Sequence, residues 1–321
     1  MGLGLSHSEV NLIRPPVPDF GQIFYMVDSD YRTAAQGWSQ ADRTGPLDLY
    51  EARKAGRGGV QYVYRTGDYT SDAVAIQAGI DGQVDFRGDT LYFSPGNYSI
   101  ATALVQDVPD SRWLGPPVSH PTLARATLTA AVAAAIGPTA AADRMEVGYL
   151  QLVPLTAGTM FDFGAVSGLH MHDNFYNADG IAASLSTVFV VLATASDFAT
   201  FENSYVWCDA AQGPWIRTAG IIKGLRVKDF VIFLEAGTWA VAINMAGVGQ
   251  ADHDIGPGVI TGAGTALTSL VTMADKTVNT THGLVHDIVS STAGPAATAL
   301  AVAAGLAAEI DIASCRRGVA T

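Results

Sequence analysis

The sequence predicts an all-β fold of stacked coils, and three observations carry that prediction. From Met145 onward the chain breaks into short β-rich runs punctuated by Gly, Asn and Asp. Five of these runs, residues 169–175, 199–205, 225–231, 250–256 and 283–289, are related: each sets a polar residue and then Asp or Asn among apolar neighbours. Taking Asp173, Asn203, Asp229, Asp254 and Asp287 as anchors gives steps of 30, 26, 25 and 33 residues, the spacing that stacked supersecondary units leave in a sequence. The composition agrees. Only 15% of residues are charged while 34 are Gly, which argues against disorder and fits many short strands joined by turns. One coil cannot bury its apolar side alone, so successive coils must share a core.

Residues 1–67 differ from the rest. Arg14-Pro15-Pro16-Val17-Pro18 is a stiff extended segment. The region holds seven of the 18 Lys and Arg residues: Arg14, Arg32, Arg43, Arg53, Lys54, Arg57 and Arg65. Residues 47–56 read as a short helix with basic residues in its last turn and Gly56 as its stop. Two readings stand for this region: a separate attachment module, or an extension packed on the start of the coils.

Residues 68–100 open the stack. Ser71 and Asp72 supply a helix start, and Ala73, Ile76, the stem of Gln77 and Ile80 share one helical face. Thr90 to Ile100 follows as a β-rich run broken at Pro95-Gly96, which makes a turn. The expected order is helix, strand, tight turn, strand. Within it, Arg87-Gly88-Asp89 matches the integrin tripeptide and is read as the loop between helix and strand.

This stretch resembles the helix cap that opens the right-handed parallel β-helix of phage tailspikes and pectate-lyase-like proteins. The matching residues are Ser71, Asp72, Ala75, Ile76, Gln77, Ile80 and Asp81, then Leu91, Tyr92, Phe93, Pro95, Gly96 and Tyr98. Ser94 departs from the pattern by replacing a proline, and Gln83 to Gly88 replaces a glycine cluster. The resemblance covers about a tenth of the chain. It implies a right-handed parallel β-helix with a short N-terminal helix cap and a small attachment module, assembled as a homotrimer. The boundaries are 1–67 for the attachment module, 68–293 for the β-helix with its cap at 68–100, and 294–321 for a C-terminal association segment.

Residues 123–142 are rich in Ala, so propensity favours helix, while interspersed Thr, Val and Ile suit a thin strand. The sequence leaves that choice open. The last segment, with an Ala-rich run at 296–312, is apolar and nearly uncharged, as a surface where chains associate would be.

Several function classes are excluded or weakened. A net charge of −12 and a pI near 4.8 disfavour nucleic acid and anionic membranes as partners. No charged start followed by an apolar stretch precedes Asn11, and no window reaches the length of a membrane span. The expectation is synthesis in a bacterial cytoplasm and residence on a virion or phage-like particle. Two cysteines, Cys208 and Cys315, make no disulfide framework or Cys-based metal site. No G-x-S-x-G, P-loop or H-E-x-x-H motif is present, and neither a cofactor nor a metal is expected.

Two sets of residues carry the remaining chemistry. Tailspikes of the resembled family often cleave polysaccharide with carboxylates on the coil surface, and glycoside hydrolysis needs two about 5–10 Å apart. Neighbouring coils lie ~4.8 Å apart, so Asp173, Glu202 and Asp229 are the catalytic candidates; the alternative makes such anchors turn residues. Aromatics form the second set. Tyr176, Tyr205, Trp207, Trp215 and Trp239, near Phe175, are candidates for stacking on sugar faces, with core packing as the alternative. His170, His172, His253, His282 and His286 fall at repeat positions, but His170-x-His172 lacks a third ligand, so surface histidines are expected.

The resulting expectation is a virion spike or fibre that binds capsular polysaccharide on a host cell and joins a capsid or tail attachment protein through its N-terminal module. A narrower reading, a head-spike fibre of a phage-like gene transfer agent, is prompted by the short shaft and compact N-terminus. The competing readings are a polysaccharide depolymerase, either lyase or glycoside hydrolase, and a structural fibre without ligand.

Overall fold

The structure is a computed structural model that describes residues 21–27, 61–117, 125–132, 134–137, 142–154, 158–178, 188–193, 196–208, 213–220, 222–245, 252–263, 266–273, 282–290, 298–302, 309–313 and 315–317. The expected helix at 47–56 lies outside these residues.

The chain folds as an all-β parallel solenoid. Three long sheets of 11, 9 and 8 strands, named A, B and C here, run along its length. The chain visits them in turn: Arg112–Leu114 lies in sheet A, Ala126–Ala130 in B and Ala134–Gly137 in C, and Glu146–Gly148 returns to A beside its starting point. Residues of successive coils therefore stand in register, as in His170↔Thr200, Met171↔Phe201 and His172↔Glu202. The core is built from columns of equivalent residues. In sheet A, Leu91, Trp113, Val147, Met171, Phe201, Val227, Ile255 and Val285 follow one another, each at most 1% exposed. Cys208 is buried and Cys315 half-buried; neither is in a disulfide.

Two corners of the coil are closed by residues with left-handed backbone. Between sheets A and B these are Tyr149, Asp173, Asn203, Asp229 and Asp287, with φ from 48° to 61°. Between C and A they are Asp110, Arg144, Gly168, Phe198, Gly224 and Asp252, with φ from 56° to 72°. Asp and Asn tolerate this geometry better than other L-residues, which explains the repeat. One anchor is shifted: Asp254 lies in the strand His253–Ile255, and Pro257 falls at the register position of Asp229.

The Ala-rich stretch is strand. Ala126–Ala130 and Ala134–Gly137 each pair with neighbours in their sheets, and Ala126, Leu128 and Ala130 point into the core. Pairing with neighbouring coils outweighs alanine's helix propensity.

At the N-terminal end, β1 (Ile23–Val27) pairs with both β2 (Gln61–Arg65) and β3 (Thr90–Phe93), so sheet A begins in the order β2, β1, β3. Strands Thr298–Val302, Glu309–Ala313 and Arg316–Arg317 end the three sheets at the other end. Segments from 1–67 and 294–321 thus contribute strands to the same sheets as the central coils.

Helix α1 (Asp72–Asp81) starts where the sequence predicts, with the Ser71 hydroxyl accepting from the Val74 amide. Its buried residues are Ala73, Ala75, Ile76, Gly79 and Ile80. Gly79 permits a close approach: a Cβ there would lie 2.8 Å from a Leu91 methyl and 3.0 Å from Met26. The Pro95-Gly96 turn is a corner, taking the chain from β3 in sheet A to β4 (Gly96–Ile100) in sheet B. Ser94, at the departure from the expected proline, bonds the buried Tyr98 hydroxyl, whose single proton is shared between the Met26 and Ser94 carbonyls at 2.9 and 3.0 Å.

The polar side of α1 meets the two outermost strands, β4 of sheet B and β5 (Leu104–Val105) of sheet C. The Gln77 amide accepts from Val105 N–H at 2.9 Å and donates to its carbonyl at 3.1 Å. Asp72 accepts from Ser99 N–H at 2.7 Å. These side chains thus satisfy backbone groups on both of those strands. Gln77→Ala is expected to lower stability by about 1 kcal/mol, the scale of one or two hydrogen bonds. The check is hydrogen exchange, in which Val105 N–H should lose protection while sheet C amides two coils away keep theirs.

Candidate functional site

The candidate residues divide among the outer faces of sheets A and B, the corner between them and the core. On sheet A, residues alternate in and out, so the outward positions form two columns. One reads Arg112, Glu146, His170, Thr200, Arg226 and Asp254; the next reads Leu114, Gly148, His172, Glu202 and Lys228, then Gly256 and His286. Stacking coils in register thus places acids, imidazoles and basic side chains one coil apart.

These groups pair across coils. Arg112 Nε lies 3.3 Å from Glu146. His172 Nε2 is 3.0 Å from Glu146 and its Nδ1 2.8 Å from Asp173. His170 Nε2 is 2.9 Å from Glu202, and the His170 and His172 rings lie 4.7 Å apart. Further along, Lys228 Nζ is 3.5 Å from Asp254, and His286 spans Asp254 at 3.1 Å and Asp287 at 2.8 Å. The hydrogen bond from His172, with Arg112 nearby, holds the Glu146 carboxyl below the usual range. Glu146 in turn raises the proton affinity of His172, and Asp173 adds to the effect. Asp287 and Asp254 raise that of His286.

Asp173, Glu202 and Asp229 therefore sit in different settings. Asp173 is a corner residue bonded to His172, and Glu202 is a strand residue bonded to His170. Asp229 is an exposed corner residue two coils from Asp173. No group of three His, Cys, Asp or Glu side chains among the described residues could hold a metal ion.

Sheet B carries the aromatic face. Phe175, Tyr205 and Val231 succeed one another in one outward column; Asn177, Trp207 and Phe233 do so in the next. Phe175 meets Tyr205 at 5.3 Å and Trp207 meets Phe233 at 5.3 Å, both edge to face. Tyr205, Trp207 and Phe233 are half-buried, and Trp207 Nε1 donates to Glu235 at 2.7 Å. Burial keeps the Tyr205 hydroxyl protonated to higher pH than usual, so it stays both donor and acceptor. Val259 and Val289 continue the column as exposed apolar residues.

Comparison with protein-family models, curated proteins and solved structures found no match.

Three aromatic candidates are core residues instead. Trp215 and Tyr176 are fully buried and Trp239 is 1% exposed. Trp215 packs against Tyr176, Phe201 and Phe230, and Trp239 donates to the Gly213 carbonyl. Their rings fill the space between sheets, so no sugar reaches them in this fold. His253 is also inside, at 3% exposure, and the His282 side chain lies outside the described residues. Arg87-Gly88-Asp89 is consumed locally: Asp89, 1% exposed, accepts from Arg87 and from the Gln22 and Val84 amides.

Sequence reasoning missed Glu146, Gly148, Asp254 and Gly256 as partners of the histidines. The signal was present as Glu146-Val147-Gly148 before His172-Asp173, and Asp254-Ile255-Gly256 before His286-Asp287. It is readable only when the coil register is known.

Proposed function

We propose that the chain is a virion spike or fibre that binds a host surface polysaccharide through the outer face of sheet B. The observation that carries this reading is the run of half-buried rings Tyr205, Trp207 and Phe233 across successive coils, with Glu235 bonded to the indole. Flat rings beside fixed hydrogen-bonding groups suit pyranose faces and their hydroxyls. Attachment to a capsid or tail protein through the N-terminal region and trimeric assembly belong to the same proposal, supported by the likeness of residues 68–100 to tailspike caps.

Purified protein should be retained on cells that bear capsular polysaccharide and not on cells that lack it. Trp207→Ala should weaken retention at least about tenfold, equivalent to 1.4 kcal/mol, with the fold intact by circular dichroism. Equal retention on both cell types overturns the binding reading. A second reading, depolymerisation, rests on half-exposed His170 held by Glu202 at 2.9 Å, a positioned imidazole able to exchange a proton. Shortening of the polysaccharide in the same incubation supports it, and loss of shortening in His170→Ala assigns it.

A further inference from the structure

Two places on sheet A repeat one arrangement. An acid, an apolar residue and Gly occupy one coil, and His-Asp occupies the next: Glu146-Val147-Gly148 beneath His172-Asp173, and Asp254-Ile255-Gly256 beneath His286-Asp287. In both, Nε2 reaches back to the acid on the earlier coil and Nδ1 reaches the following Asp. In both, that Asp holds the left-handed corner, with φ of 53° and 50°. The glycines make the geometry possible. A Cβ on Gly148 would fall 2.5 Å from the His172 ring, and one on Gly256 would fall 1.9 Å from the His286 carbonyl oxygen and 3.3 Å from its ring.

An ionised carboxylate accepts hydrogen bonds and cannot donate. Each imidazole lies between two carboxylates, so both ring nitrogens must carry a proton for both contacts to be favourable. Loss of one proton turns one N–H···O bond into a contact between lone pairs. We propose that each acid-x-Gly and His-Asp pair is a cross-coil clamp that holds the corner between sheets A and B while its imidazole is doubly protonated and releases it on deprotonation.

The surroundings of each ring agree. His172 faces Glu146, Asp173, the Tyr149 ring at 5.1 Å and the His170 ring, with Arg112 on Glu146, Arg125 Nη1 on the Asp173 carbonyl and Glu202 at the next register position. His286 faces Asp254 and Asp287, with Lys228 on Asp254; by register Ala313 follows it and Asp311 pairs with Leu284. Acids adjoin both rings more closely than cations do, in keeping with their raised proton affinity. Because that affinity is higher folded than unfolded, the clamp's contribution is complete below the ordinary imidazole value near ~6.5 and is lost as pH rises through the folded value. Glu146, held low, keeps its contribution above the usual carboxylate range and loses it only as pH falls through its own folded value.

The experiment is an NMR titration of the whole chain, following the ring C2 protons of His172 and His286 and the exchange protection of the Tyr149, Asp173 and Asp287 amides. Both rings should titrate above ~6.5. After correction for intrinsic exchange, corner protection should fall about tenfold on passing through that titration, the ratio that follows from losing one charge-assisted hydrogen bond worth about 1.4 kcal/mol. His172→Gln should abolish the pH dependence at Tyr149 and Asp173 but not at Asp287, and His286→Gln the reverse. Rings titrating at or below ~6.5, or corner protection indifferent to their titration, overturn the proposal. The wild-type titration decides the matter even where a variant does not fold.

Discussion

Trp215→Ala is expected to lower the free energy of unfolding by about 3–5 kcal/mol, the cost of emptying a large aromatic site in a core. Trp215 is fully buried and meets Tyr176, Phe201 and Phe230 from neighbouring coils and sheets, so the void has several walls that cannot all collapse. Trp207→Ala should cost about 1 kcal/mol or less, because that ring lies on the outer face and is only partly buried. The two variants separate a core aromatic from one on the proposed binding face. Chemical denaturation should show a large loss for Trp215→Ala and a small one for Trp207→Ala, with retention on polysaccharide-bearing cells falling in the second at nearly unchanged stability. A Trp215→Ala variant as stable as the wild type would contradict the packing described.

Asp89→Ala is expected to cost about 3–5 kcal/mol, the scale on which one partner's removal strands a buried ion. Its carboxylate accepts from Gln22 N–H at 2.6 Å, Val84 N–H at 2.7 Å and the Arg87 guanidinium at 2.6 and 2.5 Å. It joins the chain leaving α1 to the segment entering β1. The Arg87 side chain is only 16% exposed, so water restores little of what is lost. Arg87→Ala should cost less, since Asp89 keeps its two amide donors. Denaturation midpoints of the two variants make the comparison, and equal losses would show that the amide contacts contribute nothing.

Much of the architecture was legible because it depends on local chemistry. Ser71 and the apolar spacing after it place α1, Pro95-Gly96 places the first corner, and Asp173, Asn203, Asp229 and Asp287 mark a repeated left-handed turn. What resisted reading depends on neighbours distant in sequence. Whether 126–137 is helix or strand is decided by the strands that flank it in sheets B and C. The face of an aromatic depends on strand register, and one residue's slip moves a ring from core to surface; Trp207 lies outside while Trp215 and Tyr176 lie inside. Asp254 took the place of an anchor because it is an acid at nearly the right spacing, yet Gly256 and Pro257 make that corner. The histidine pairings were hidden for the same reason, since Glu146 and His172 become neighbours only after a full coil.

The order β2, β1, β3 at the head of sheet A has a consequence for how the protein is made. Synthesis delivers β1 before β2 and β3, but β1 is the strand that ends between these two partners. The isolated β1 and β2 pair is too small to persist alone, and β2 offers β3 no direct edge. Assembly of this end therefore cannot proceed by adding each strand outside the last. β1, made before both of its partners, is paired on both edges only once β3 has been made.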